Sequence, residues 1–198
     1  MMNLSAIPQL GFKRLLRHVE YVCWALGGVM LGWFVLTNLD IFWFQKRQAL
    51  RWESPQQPIA VQSVSRNGGP IGKISIPRIG LSAIVAEGDD ESTLRHAVGH
   101  IPGTTSFGRI GNVALAGHRD TFFRPLNRLR LNDRIILETP QGKYEYQVIR
   151  TLVVEPQRVD LLQPSAEADL TLITCFPFRF IGPAPQRFVV QALQVPTK

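Results

Sequence analysis

A chain of 198 residues, 45% of them hydrophobic, is long enough for one domain with a real core and for short additional segments. The net charge of +7 would suit a nucleic-acid partner, but residues 1–72 carry seven Lys/Arg against three Asp/Glu, and residues 73–198 carry fifteen against twelve. Because the basic excess surrounds one apolar segment and no Lys/Arg-rich block accompanies it, we expect a membrane-flanking charge and no nucleic-acid partner.

Residues 1–20 form a short basic segment, and residues 21–44 contain the apolar one. The uncharged run at 21–39 has nineteen residues, and a helix of that length extends about 28 Å, close to the thickness of the hydrocarbon core. A cleaved signal peptide is the alternative, but the run is longer than an h-region and no A-x-A-like site closes it. We therefore predict a retained transmembrane anchor over residues 21–44, in contact with membrane lipid. Three Lys/Arg on either side of the run leave the orientation open.

Residues 45–72 are rich in Pro, Gly, Ser and Gln, and we predict that they form a linker. From residue 73 to 198 the pattern changes to short β-branched runs, mostly separated by Gly, Pro, Asp or Asn. The predicted strands are GKISIP, LSAIVAEG, GNVALAGH, DRIILETP, KYEYQVIRTLVVEP, DLTLITC and RFVVQALQV. With short helices predicted at 91–98 and 121–129, and RVDLLQ as a further candidate, these strands indicate a mostly β domain, either a closed barrel or a sandwich.

The segment DLTLITCFPFRF places Cys175 where a buried strand is predicted to end. The other cysteine, Cys23, lies in the predicted anchor, so Cys175 has no disulfide partner in the chain. An unpaired cysteine in an oxidising compartment needs a reason, and two are open: core packing and nucleophilic catalysis. Catalysis requires a proton acceptor or a cation nearby, because the thiolate is the reactive species.

Of the four histidines, His118 is the best candidate for that proton acceptor. His18 precedes the predicted anchor, and His96 and His100 lie in or after a predicted helix, where surface or packing roles are expected. His118 follows the apolar strand NVALAG, so its ring emerges at a strand end. A strand end on a rigid barrel holds a catalytic side chain in place.

Arg187 begins the last predicted strand. If that strand pairs antiparallel with residues 169–175, Arg187 lies beside Cys175. It is then either a solvated charge or a group that stabilises a developing oxyanion, which acyl transfer requires.

The motif LAGHRDTFFRPL, the later TLITC, and an arginine twelve residues after the cysteine together resemble the sortases. The similarity is nearest to the class D-like branch, where Arg-Asp-Thr-Phe-Phe follows the histidine, and GHIPGT at 99–104 also fits that branch. The similarity covers about residues 73–198, and the anchor and linker before it fit the family's layout. The resemblance implies an eight-stranded β-barrel and a cysteine transpeptidase.

Carried over by position, the resemblance implies that Cys175 is the nucleophile, His118 the acid and base, and Arg187 the oxyanion-stabilising or substrate-positioning group. Thr174 matches the threonine that helps to bind substrate or stabilise the intermediate. Asp120 matches a common residue of the branch, and it either orients His118 or only closes a turn.

The resemblance also implies the partners and the location. The substrates would be proteins with a C-terminal sorting signal of the LPxTG type, and the acceptor an amine on a cell-wall precursor or another protein. The family implies a single-pass protein of the bacterial cytoplasmic membrane, with its N-terminus inside and its catalytic domain on the extracytoplasmic side. Two alternatives to a transpeptidase are open. The protein is either a peptidase that only hydrolyses or a non-enzymatic β-domain that binds an envelope partner.

Two further features have open interpretations. The loop FPFRFIGPAPQ either covers the end of the barrel or forms an apolar wall for the Leu-Pro part of a sorting motif, and we favour the cover. The acidic residues Glu87, Asp89, Asp90 and Glu91 either cap a helix or bind calcium, which some sortases use. We predict capping, with no metal and no cofactor.

Overall fold

The computed structural model of the chain describes residues 9–53 and 69–195. The predicted basic segment up to residue 8, most of the predicted linker (54–68) and the last three residues lie outside this description. The chain divides into two compact units, residues 1–43 and 44–198.

The N-terminal part is one long helix, α1 (Gln9–Glu53). Its stretch Leu16–Leu36 is exposed, has a mean hydropathy of 1.6, and is long and apolar enough to cross a membrane. The helix continues past residue 44 through 45–53, which we had assigned to the linker. These residues are mostly Gln, Lys, Arg, Ala and Leu, which favour helix, and the first proline after them is Pro55.

The second unit is a closed barrel of eight strands with few helices, as predicted. Around the barrel the strands follow the order β1-β2-β3-β4-β7-β8-β6-β5. The strands are β1 (Pro70–Ile76), β2 (Leu81–Glu87), β3 (Val98–His100), β4 (Gly111–Ala116), β5 (Arg134–Thr139), β6 (Gly142–Val154), β7 (Ala168–Phe176) and β8 (Gln186–Val195). A short helix, α2 (Glu91–His96), and 3₁₀ helices at Pro77–Ile79, Arg124–Arg128 and Val159–Leu162 connect them.

Strand β3 is the element that the sequence pattern did not predict. Helix α2 ends at His96, and Val98 already pairs in parallel with Val85 of β2. His100 pairs antiparallel with Leu115 of β4, so this three-residue strand closes the barrel between β2 and β4. Gly99 permits the close approach, because a Cβ there would lie 2.2 Å from the Gly88 carbonyl oxygen.

The interior of the barrel is filled by alternate residues of its strands. Ile74 and Ile76 of β1, Leu115 of β4, and Leu170 and Leu172 of β7 are fully buried members of one hydrophobic cluster. Each such side chain contributes about 2 kcal/mol through burial. A closed barrel also leaves no unpaired sheet edge, so it is a rigid frame for side chains at its rim.

A buried polar contact fixes the pairing of β4 with β7. Thr171 Oγ1 donates to Asn112 Oδ1 at 2.8 Å, and Asn112 Nδ2 donates to the Leu161 carbonyl at 2.8 Å. Because unpaired polar groups in a core are costly, these bonds favour one register for the two strands. They also attach the 3₁₀ helix of Leu161 to the barrel.

The strand directions bring three chain segments to one rim. Strands β4 and β7 are parallel, with Ala116 opposite Ile173, so their C-terminal ends lie together. Strand β8 is antiparallel to β7, as predicted, and its start lies at the same rim. In this register Cys175 stands directly opposite Arg187.

Asp133, directly before β5, is a buried carboxylate held by Arg78. Arg78 Nη2 donates to Asp133 Oδ2 at 2.6 Å, and Arg78 Nε donates to the other oxygen. These bonds hold the pKa of Asp133 below its ordinary value. The pair therefore stabilises the fold above the ordinary carboxyl pKa of about 4, and its contribution is lost as the pH falls through the lowered pKa of the folded state.

We expect Arg78→Ala to lower the free energy of unfolding at pH 7 by more than the control variant Arg134→Ala, because Asp133 then stays buried without its cation. The difference from wild type should shrink as the pH falls below about 4, where the unfolded chain's carboxyl becomes protonated, and disappear through the lowered pKa of the folded state. Urea unfolding of the whole chain in detergent at pH 7 and pH 3 measures both. Arg134→Ala, which removes a surface partner of Glu145, is the control and should cost less than about 0.5 kcal/mol. A loss that does not depend on pH would contradict the ion pair as its cause.

Candidate active site

The three predicted catalytic residues line one groove at this rim. His118 follows β4, Cys175 lies one residue before the end of β7, and Arg187 is the second residue of β8. The groove has a volume of about 400 Å³, and most of its remaining lining is apolar. A thiol, an imidazole and a guanidinium in one groove supply a nucleophile, a proton carrier and a cationic hydrogen-bond donor.

Cys175 and Thr174 occupy opposite faces of β7. Thr174 is buried, whereas Cys175 is half-buried and reaches the groove. The Thr174 hydroxyl donates to the Gly117 carbonyl at 2.7 Å, and the Gly117 amide donates to the Ile173 carbonyl at 3.1 Å. These two bonds tie the residue before His118 to the residues before Cys175. Thr174 also lines the groove, and its substrate-binding role stays a prediction.

Gly117 has no room for a side chain. A Cβ at this position would lie 2.7 Å from Cδ2 of Phe123, a ring that is fully buried in the core. The Phe123 amide also donates to the His118 carbonyl at 3.1 Å, so the turn after β4 folds back over Gly117. The glycine therefore sets the path of the backbone immediately before His118.

We expect Gly117→Ala to lower the free energy of unfolding by about 1–3 kcal/mol, because the added methyl overpacks the contact with Phe123. We also expect slower peptide cleavage, since relief of the clash moves the backbone of His118. Thermal unfolding and a cleavage assay measure the two effects. The double variant Gly117→Ala/Phe123→Leu should recover part of both, because leucine leaves room for the methyl. Full stability of the single variant would contradict the close contact.

Arg187 is bonded to the chain through one of its nitrogens. Its Nη1 donates to the Ala184 carbonyl at 3.3 Å and to the Gln186 carbonyl at 3.0 Å. Among the described residues, its Nε and Nη2 donate to no protein acceptor. The guanidinium is thus held in place while two of its nitrogens remain available to a ligand in the groove.

The carboxylate nearest to His118 among the described ion pairs is Glu91. Its Oε2 lies 3.8 Å from His118 Nε2, although Glu91 is largely exposed and also approaches Arg95. Such an exposed pair orients the ring only weakly. Asp120 is exposed and does not line the groove, so its predicted role in orienting His118 stays a prediction. Sequence spacing gave no signal for Glu91, which is brought to His118 by the fold.

Among the acidic residues at the start of α2, Asp90 has a capping role. Asp90 is the N-cap of α2: its Oδ1 accepts from the Ser92 and Thr93 amides at 3.0 and 3.2 Å, which confirms the predicted capping. Hydrogen bonds from the hydroxyls and amides of the same two residues hold the pKa of Asp90 well below its ordinary value. Within residues 9–53 and 69–195, no group of three or more His, Cys, Asp or Glu side chains is arranged to hold a metal ion.

His100 and Glu87 form a structural pair behind the groove. His100 is buried, its Nδ1 lies 3.0 Å from Glu87 Oε2, and its Nε2 lies 3.1 Å from the Thr105 carbonyl oxygen. Both ring nitrogens therefore face acceptors of the protein itself. The packing role expected for His100 agrees with this geometry.

The loop after Cys175 packs against the barrel core through Phe178, whereas Phe180 is exposed, so its favoured role as a cover of the barrel end stays a prediction. The rings of Phe178 and Phe188 have centroids 5.2 Å apart, and both pack against the hydrophobic core. Phe176 stacks on Phe188 at 6.4 Å. The groove is lined by residues of other segments and not by the loop at 177–185.

The closed β-barrel thus brings a cysteine, a histidine and an arginine together at the ends of three neighbouring strands. A sequence model of the Sortase domain matches residues 74–195, which is more than half of the chain. The chain belongs to the sortase family.

Individual relatives agree with this membership and with the predicted resemblance to the class D-like branch. Sortase D of Bacillus subtilis (strain 168) is 31% identical over 129 residues, 65% of this chain and 65% of that protein. Sortase A of Bacillus anthracis is 30% identical over 132 residues, 65% of this chain and 61% of that protein. The matched regions thus span slightly less than two thirds of either relative.

Solved structures share the fold. The structure of a Clostridium perfringens sortase D5 transpeptidase superposes with a TM-score of 0.66 at 24% identity, covering 77% of this chain and 96% of that chain. The predicted eight-stranded sortase-type barrel is confirmed.

Proposed function

We propose that the protein is a membrane-anchored cysteine transpeptidase that cleaves a C-terminal LPxTG-like sorting motif and transfers the acyl part to an amine. The observation that carries this proposal is the convergence of His118, Cys175 and Arg187 on one groove of a sortase barrel. Each of the three side chains lies at or just beyond one end of a different strand, and these strands are neighbours in the barrel. A purely structural cysteine would need neither neighbour.

In the first half of the reaction, the Cys175 thiolate attacks the carbonyl carbon of the threonine in the motif. A C–S bond forms as the carbonyl becomes an oxyanion, which Arg187 stabilises through its available donors. The oxyanion then collapses, the peptide C–N bond breaks, and His118 gives its proton to the leaving amine. The products of this half-reaction are a thioester on Cys175 and a free amino terminus.

In the second half, an acceptor amine attacks the thioester carbonyl. Neutral His118 takes a proton from the attacking amine, the new C–N bond forms, and the C–S bond breaks to regenerate the thiolate. The cycle restores both charges of the thiolate–imidazolium pair and consumes no oxidant or reductant. Water in place of the amine gives hydrolysis, which is the competing outcome.

The N-terminal helix bears on where in the cell this reaction would take place. We propose that Leu16–Leu36 crosses the bacterial cytoplasmic membrane once, with the N-terminus inside and the barrel on the extracytoplasmic side. The support is the length and hydropathy of this stretch together with membership of the sortase family. Substrates secreted across the same membrane would then meet the groove as they emerge.

The test is to incubate the whole chain in detergent with a library of LPxTG-like peptides, with and without triglycine as the amine, and to identify products by mass spectrometry. We expect cleavage after the threonine and a ligated product when the amine is present. Quenched samples should contain enzyme whose mass is increased by the acyl fragment on Cys175. Hydrolysis without any ligated product would indicate a peptidase, and binding without cleavage would indicate a non-enzymatic domain.

A further inference from the structure

The loop between β7 and β8, residues 177–185, joins the strand of Cys175 to the strand of Arg187. Outside helices and strand ladders, the backbone hydrogen bonds of the described residues include none from this loop. Its carbonyls are bonded by two arginine side chains instead. Arg187 donates to the Ala184 carbonyl near the end of the loop. Arg119 donates to three carbonyls nearer its start.

Arg119 makes three hydrogen bonds to this loop. Its Nη1 donates to the Pro177 carbonyl at 3.0 Å, and its Nη2 donates to the Phe180 and Gly182 carbonyls at 2.9 and 3.1 Å. The guanidinium carbon also lies 5.7 Å from the centre of the Phe180 ring, a cation–π distance. The planar guanidinium of Arg119 thus takes the place of the backbone hydrogen bonds that the loop lacks.

The position of Arg119 in the chain gives these bonds a consequence for the site. Arg119 directly follows His118, and Pro177 is the second residue after Cys175. The side chain therefore connects the turn that carries the imidazole to the chain that leaves the thiol. A second bond joins the same two segments, because the Thr174 hydroxyl donates to the Gly117 carbonyl.

We propose that Arg119 is a positioning residue, which holds the turn of His118 and the strand end of Cys175 in the separation that proton transfer requires. The inference rests on the proposed function, since it assigns Arg119 to the geometry of that reaction. The loop does not line the groove, so loss of Arg119 should disturb the alignment of the reacting groups and leave peptide binding nearly unchanged. A misplacement of about 1 Å costs on the order of 10²-fold in rate.

The experiment measures kcat and KM for a sorting-motif peptide with Arg119→Ala, Arg119→Lys and wild-type chains in detergent. For Arg119→Ala we expect kcat to fall by about 10- to 100-fold and KM to stay within about twofold. Arg119→Lys should recover only part of kcat, because a single ammonium does not span three diverging carbonyls. Arg109→Ala is the matched control: it removes the same charge from an exposed position outside the groove and should behave as wild type.

A second measurement does not depend on catalysis. Trypsin cleaves after Arg179 inside the loop, and the cleavage should be on the order of tenfold faster in Arg119→Ala than in Arg109→Ala, because the loop opens more often. If the wild type shows no peptide cleavage but the two variants still differ in trypsin cleavage rate, the proposed function is wrong. The hydrogen bonds between Arg119 and the loop are then still supported. The positioning role is overturned if Arg119→Ala matches Arg109→Ala in kcat, if only KM rises, or if Arg119→Lys restores kcat fully.

Discussion

Replacing Cys175 by alanine is expected to abolish cleavage and ligation of sorting-motif peptides, a loss of at least about 10⁴-fold in kcat/KM. The reaction proposed for this site runs through a thioester, and no other side chain in the groove offers a sulfur nucleophile. Residual catalysis by the remaining groups would be small, because residues that act as a unit lose nearly all their effect together. Initial rates with a fluorogenic peptide measure the loss.

The same variant should keep the fold of wild type. Cys175 is half-buried at the rim and lies outside the hydrophobic core cluster, so the truncation leaves no large cavity. Thermal unfolding in detergent should therefore give nearly the same midpoint. Cys23→Ala removes the other cysteine of the chain, which lies in the apolar helix, and should retain full activity. Cleavage by Cys175→Ala at more than about a tenth of the wild-type rate would remove Cys175 from the mechanism.

Much of the barrel could be predicted from the sequence, because its strands alternate and its turn residues separate them. The runs that became β4 and β7 are strongly apolar and end near His118 and Cys175, and the apolar run that became β8 begins at Arg187. Once β7 and β8 are joined by a loop of modest length, antiparallel pairing follows, and this puts Arg187 opposite Cys175. The parallel pairing of β4 with β7 could not be read from spacing and came only from the structure.

The details that escaped prediction depend on contacts between segments that are distant in the chain. Strand β3 has only three residues and exists because β2 and β4 bracket it. Glu91 approaches His118 only because α2 lies beside the rim of β4. Arg119 was visible only as part of a motif, since its bonds reach residues about sixty positions away. No local periodicity encodes such side-chain contacts.

Arg187→Ala is expected to lower kcat/KM by about 10²–10³-fold. Arg187 stands opposite Cys175 in the β7–β8 pair, and in the proposed reaction its guanidinium would border the position where the oxyanion develops. Removal of one oxyanion-stabilising donor costs a factor of this size in other acyl-transfer enzymes. The loss should fall mainly on kcat, because the charge to be stabilised exists in the transition state and not in the bound peptide.

Arg187→Lys separates charge from geometry at the same position. Its ammonium keeps the positive charge but does not hold the Ala184 carbonyl and present a planar pair of donors at once, so we expect only partial recovery of kcat. Arg150→Ala is the matched control, since Arg150 also bonds β8, through Gln191, but lies outside the groove. Wild-type rates are expected for Arg150→Ala. Full activity of Arg187→Lys would mean that a positive charge at this position is sufficient. Equal losses in Arg187→Ala and Arg150→Ala would mean that the position opposite Cys175 has no special role.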